Sequence, residues 1–172
     1  MDYTDDEQHK TLRMTVLTTP NMANFSGHVH GGAMLKLLDE VAFACASRYA
    51  HRYVVTLAVD QVVFREPMHV GELVTFLASV NYTGHTSLEV GIRTIAENIV
   101  AKTSRHVMTC YFTMVAIDDD RRPTPVPPLQ VNTADERRRY HAAILRREFR
   151  KEVEHRSLEI RRTPQQDGNS AV

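Results

Sequence analysis

At 172 residues, with 42% hydrophobic and 24% charged side chains, the chain suits one compact domain plus an extension and is too short for two ordinary domains. Its formal net charge is zero, so no overall field draws it to nucleic acid or to an anionic membrane. Two cysteines, Cys45 and Cys110, each inside an apolar run, argue for buried thiols and against a disulfide framework.

The first ten residues are polar and acidic and are expected to be flexible. They lack an apolar signal core, and no apolar run is long enough to span a bilayer, so a cytoplasmic protein without membrane insertion is expected. A short extended or helical piece follows at residues 12–17 and is interrupted by Pro20 and Asn21. Residues 24–29 read as a loop or short strand leading into Gly31-Gly32.

From Gly32 to about Ala50 the pattern is helical and apolar nearly all round, which predicts a helix buried on most sides. Four strand-like segments come next, at 53–64, 73–82, 87–97 and 105–117. They are rich in Val, Ile, Thr, Phe and Tyr and are separated by turn signals such as Thr83-Gly84-His85. The expected fold class is α+β: a long curved antiparallel sheet wrapped around a buried central helix, the hotdog arrangement. One such sheet leaves edges open, so oligomerisation is expected. Pro123, Pro125, Pro127 and Pro128 end the sheet. Thr133 caps a last, arginine-rich helix, peripheral to the core. The division expected is a flexible 1–10, a hotdog domain over 11–130, a helix over 131–162 and a disordered tail at 163–172.

Asp39 sits on a mainly apolar helical stripe, with Leu35, Ala42, Phe43 and Ala46 as neighbours. A buried carboxylate there is costly unless paired, which makes it either a catalytic base or a structural partner of Arg48 or Arg65. Gly31-Gly32 open the same helix, whose first N–H groups have no internal acceptor and can hold a developing oxyanion. The turn carrying Gly84, Thr86 and Ser87, with Arg93 and Arg105 on strand-like segments, supplies donors suited to phosphates; ordinary surface arginines on a solvated hairpin explain it equally well. His28 and His30 share a face but lack further ligands, so no metal site is expected. No Gly-x-Ser-x-Gly elbow, phosphate-binding loop or dinucleotide fingerprint occurs.

The run Asn24-Phe25-Ser26-Gly27-His28-Val29-His30-Gly31-Gly32, followed by Leu37-Leu38-Asp39, resembles the signature of hotdog acyl-CoA thioesterases of the cytosolic acyl-CoA hydrolase branch. Val59-Asp60, Phe64-Arg65-Glu66-Pro67, Val70-Gly71-Glu72 and Tyr82-Thr83-Gly84 extend the likeness over about residues 12–130. Position 28, often Asn in that family, is His here. The resemblance implies hydrolysis of fatty acyl-CoA to free acid and CoA, with no cofactor beyond the CoA of the substrate. It implies a catalytic Asp39, acting as general base or nucleophile, and an Asn24 contributed by the neighbouring subunit. It further implies a homohexamer built as a trimer of dimers. Hotdog folds also serve enoyl-thioester hydratases and dehydratases, and Gly27-His28 is similar to their catalytic histidine, although Val29-His30 departs from the Phe-Pro that follows it there. A non-catalytic acyl-CoA-binding regulator is the other alternative, but the basic helix is diluted by Glu148, Glu152 and Glu154 and carries no nucleic-acid-reading motif.

Overall fold

A computed structural model describes residues 9–162. The expected flexible N-terminus falls almost wholly outside them, and the expected disordered tail entirely so. The chain divides into two units after Gln130.

The first unit holds β1 (Thr11–Leu17), α1 (Gly31–Ala50), β2 (Tyr53–Val59), β3 (Leu73–Thr83), β4 (Ser87–Asn98) and β5 (Thr103–Ile117). The strands form one antiparallel sheet in the order β1-β3-β4-β5-β2. The piece at 12–17 is thus a strand, and its alternating exposure is that of an edge element. Single-residue bulges interrupt β2, β3 and β5 at Leu57, Asn81 and Val107, and each adds the local bend that lets the sheet curl.

Period-two alternation aims Val74, Phe76, Ala78, Leu88, Val90, Ile92, Met108, Cys110, Phe112 and Met114 at α1, all buried. The helix answers with Met34, Leu38, Val41, Ala42, Cys45 and Ala46, at the three- and four-residue spacing of one face. Burial pushes the Cys45 and Cys110 thiols up to about 12, so both behave as inert apolar groups. The proline-rich segment closes this core: Val126 is buried in it, and the Tyr49 hydroxyl donates to the carbonyl of Pro127.

Two expectations need correcting. In the single chain the first half of α1 is buried along one side only; Gly32, Leu35, Lys36, Asp39 and Glu40 are exposed, and Lys36 pairs with Glu40 at 3.0 Å, while from Val41 to Ala50 only Arg48 is exposed. One curled sheet can cover only the side of a helix that faces it. The second strand is also shorter than its β-forming composition suggests and stops at Val59. After the bulge, Asp60 and Arg65 still donate backbone hydrogen bonds to Tyr111 and Val107, but residues 61–64 bow out of the ladder between them. Phe64 is carried in this way to the start of α1. Its ring lies 3.4 Å from where a Gly31 Cβ would stand, an ordinary contact distance.

The second unit contains α2 (Ala134–Arg162). Thr133 caps it as the sequence suggests: Oγ1 accepts the Glu136 N–H at 3.2 Å, and the Glu136 carboxylate reaches back to the N–H groups of Asn132 and Thr133.

Candidate functional site

Asp39 leaves the exposed side of α1 toward β2. Its Oδ1 accepts a hydrogen bond from the Thr56 hydroxyl at 2.6 Å. The helix thus supplies a carboxylate, and the strand after it supplies the donor that orients it. Neither Arg48 nor Arg65 is its hydrogen-bond partner. Burial is not what marks this aspartate in the single chain, where its side chain is open to solvent. Its surroundings do. A cleft of about 370 Å³ lies over it, lined by Asp39, Glu40, Phe43, Tyr53, Val55 and Thr56, with the Phe43 and Tyr53 rings packed edge to face.

This cleft opens beside an incomplete edge. β2 is the last strand of the sheet, and Tyr53, Val55, Leu57 and Val59 are all exposed on it, Leu57 at 68%. A long apolar edge strand with unpaired backbone groups is a surface for pairing.

Asn24 is fixed by its own loop. Its Oδ1 accepts the N–H groups of Ser26 (2.9 Å) and His28 (3.1 Å), its N–H donates to the His28 carbonyl, and Gly27 completes the turn at φ +77°. With the amide oxygen engaged, the NH₂ group is the part left to face a ligand. Among the described residues Asn24 hydrogen-bonds neither Asp39 nor Thr56, so one chain does not join the two predicted residues. Phe25, at the tip of the same turn, is fully exposed.

The two glycines differ. The Gly32 N–H donates to His30 Nδ1 at 2.8 Å, and those of Ala33 and Met34 both turn to the His30 carbonyl. His30 therefore caps the helix, and Gly31 carries the remaining N–H of its first turn. His28 lies instead against His69, ring centroids 5.0 Å apart. No cluster of three or more metal-ligating side chains occurs among the described residues.

The residues expected to hold phosphates do not converge. Gly84, Thr86 and Ser87 do form one hairpin end, with the Gly84 N–H donating to the Ser87 carbonyl. Arg93 lies six residues along β4, about 20 Å away at strand rise. Arg105 sits toward the opposite end of the sheet, paired in register with Ala96. Its guanidinium is already spoken for: it grips Glu72 through two bonds of 2.7 and 2.8 Å, meets Glu66 at 3.1 Å and donates to the Pro67 carbonyl. In the single chain Arg105 acts as a structural staple between these groups. Its hydrogen bonds and charge hold the nearly fully buried Glu72 carboxyl below its ordinary range.

Thr56 escaped the sequence reading. A signal was present: Val54 and Thr56 share one face of β2 ahead of the bulge, and a hydroxyl following an apolar position on that face calls for a partner.

A curled antiparallel sheet around one helix, with a carboxylate leaving that helix beside an open sheet edge, defines a hotdog protein. Residues 26–103 match the family described as Thioesterase superfamily. Protein VdlD of Helicobacter pylori is 47% identical over 87% of this chain and 86% of its own. The rat cytosolic acyl coenzyme A thioester hydrolase is 31% identical over 72% of this chain, which spans 33% of that longer protein. Among solved structures, an apo-hexameric acyl-CoA thioesterase is 33% identical with TM-score 0.81, covering 84% of this chain and 93% of that one. An acyl-CoA hydrolase from Staphylococcus aureus, solved with an aspartate and with a threonine replaced by alanine, is 26% identical with TM-score 0.81, covering 89% of this chain and 94% of that one. The chain belongs to the thioesterase superfamily, in its hotdog acyl-CoA thioesterase branch.

Proposed function

We propose that this chain hydrolyses fatty acyl-CoA to free fatty acid and CoA, with Asp39 as the reacting carboxylate. The observation that carries this reading is the Asp39–Thr56 pair: one carboxylate oxygen is held by the hydroxyl, at a cleft that both residues line. The replaced aspartate and threonine of the S. aureus hydrolase stand seventeen positions apart in its numbering, the interval that separates Asp39 from Thr56 here. Such a match favours a working pair over a chance surface contact.

In the general-base route Asp39 takes a proton from water as the water oxygen bonds to the thioester carbonyl carbon. The carbonyl oxygen becomes an oxyanion against the Gly31 N–H. Gly32 can add a second donor once the His30 ring swings from its N–H. The C–S bond then breaks and the CoA sulfur recovers the proton. In the nucleophilic route the carboxylate itself attacks, the C–S bond breaks and CoA leaves as thiolate; water then cleaves the anhydride, releasing the fatty acid and regenerating Asp39, and its proton passes to the CoA sulfur. Both routes place Thr56 as the group that fixes the carboxylate.

Asn24 enters from a second subunit, directing its NH₂ group at the thioester or the water. Two copies meeting along their β2 edges cover Val55, Leu57 and Val59 and desolvate the cleft, so the site is complete only in the dimer. A trimer of such dimers, hence a hexamer, is the assembly we assign. Gly84, Thr86 and Ser87 remain candidates for the CoA end; Arg93 would serve only if the nucleotide extends along β4. No cofactor takes part, CoA arriving in the substrate and leaving as product, and the cytoplasm is the compartment this chemistry suits. Among the described residues no helix is long and apolar enough to cross a membrane.

The test follows thiol release from short, medium and long acyl-CoA esters by wild type, Asp39→Asn and Asn24→Ala, each checked for unchanged assembly mass. Loss of turnover in both variants is expected. Normal turnover by correctly assembled Asp39→Asn would sink the mechanism.

A further inference from the structure

α2 carries an exposed apolar face among the described residues. At 100° per residue, Leu145, Phe149, Val153 and Ile160 fall within one arc of about 80°. Their exposures are 54%, 69%, 64% and 74%. Arg156 lies in the same arc, but its guanidinium is drawn to Glu152 at 2.7 Å. A helix polar on all sides would need no explanation; a row of four large apolar side chains in water does.

The flanks of this stripe differ in sign. On one side lie Glu148, Glu152 and Glu159; on the other lie Arg146, Arg150 and Arg161. From this arrangement we infer that the stripe pairs with the same stripe of a second copy of this chain, the two helices running parallel. When two helices meet in parallel about a two-fold axis, the left flank of one faces the right flank of the other, whereas antiparallel helices bring like flanks together. Parallel pairing therefore sets the glutamate row of each copy against the arginine row of its partner. The axial match is close as well. Each glutamate lies two residues from an arginine of the opposite flank, 148 from 146 and 150, 152 from 150 and 159 from 161, which is about 3 Å of helix rise. Antiparallel pairing would oppose arginines with arginines and glutamates with glutamates along the whole contact. The inference rests on α2 alone and stands apart from the catalytic reading.

Orientation can be read with introduced thiols, because Cys45 and Cys110 are buried and unreactive. Full-length Ile160→Cys, oxidised with diamide, is expected to yield a disulfide-linked dimer in high yield, since identical residues face each other in a parallel pair. Phe149→Glu, which keeps a helix-compatible residue at an exposed position, is expected to lower the assembly mass in sedimentation by a factor of two or more and to abolish the Ile160→Cys cross-link. Failure of Ile160→Cys to cross-link, with a mixture of Leu145→Cys and Ile160→Cys chains cross-linking instead, would overturn the parallel arrangement. An unchanged mass for Phe149→Glu, together with wild-type but not variant binding to phosphatidylserine vesicles, would overturn pairing and assign the stripe to a lipid surface.

Discussion

Two carboxylates in this fold meet opposite fates. Glu72 is nearly fully buried and saturated: both oxygens accept from the Arg105 guanidinium, and Oε2 also accepts the His69 N–H. Asp39 is exposed in the single chain, and one hydroxyl holds one of its oxygens. A charge whose hydrogen bonds are all internal holds the chain together and has nothing left for a substrate. A charge held at one oxygen beside an apolar cleft is positioned without being satisfied, which is the condition for chemistry.

Substitution separates the two most sharply at Asp39 itself. Asp39→Asn keeps the shape and the Thr56 contact but removes the base, so turnover should fall about 10²- to 10⁴-fold while the melting temperature stays close to wild type. Stopped assays of thiol release and a thermal melt decide this together. A large drop in stability would place Asp39 with Glu72 as a structural charge.

The converse expectation applies to Arg105→Ala. Leaving Glu72 buried without its partner should cost about 3 kcal/mol in denaturant unfolding. Activity per folded molecule should be unchanged; a raised KM for acyl-CoA would return Arg105 to the phosphate-binding role. Thr56→Ala comes next in size. Losing a charge-assisted hydrogen bond that orients the carboxylate should lower kcat about tenfold to a hundredfold, with Thr56→Ser recovering most of it. Equal rates for Thr56→Ala and wild type would remove the hydroxyl from the mechanism.

The smallest effect is on pH dependence. Because Arg105 holds the Glu72 carboxyl below its usual value of 4.5, the unfolded chain binds the proton first as pH falls. The stabilisation is thus complete above about pH 4.5 and is lost progressively below it. Thermal melts of wild type and Arg105→Ala should converge as pH drops through that window; a constant gap would mean the pair contributes by packing and not by charge.

The contrast between these carboxylates was only partly legible beforehand. Glu72 and Arg105 stand 33 positions apart, and their meeting depends on the β3–β4–β5 register, which no local pattern expresses. Asp39 stood out as a carboxylate on an apolar helix, but for burial, which the single chain does not provide. Gly31-Gly32 was visible as a helix entry, yet its division of labour depends on a His30 ring folding back onto Gly32.

What the residues alone determined is the fold: the period-two runs, the turn signals between them and one apolar helix leave a curled antiparallel sheet around α1 as the arrangement that buries them. They also marked Asp39, because carboxylates on apolar helix faces are rare enough to need a reason. Only the tertiary structure decided which charges are spent. Partner choice depends on ångström distances between elements far apart in sequence, where a hydrogen bond exists at 2.7 Å and not at 5 Å. The packing of α1 against β2 brings Thr56 to Asp39, and the β3–β4–β5 register brings Arg105 to Glu72.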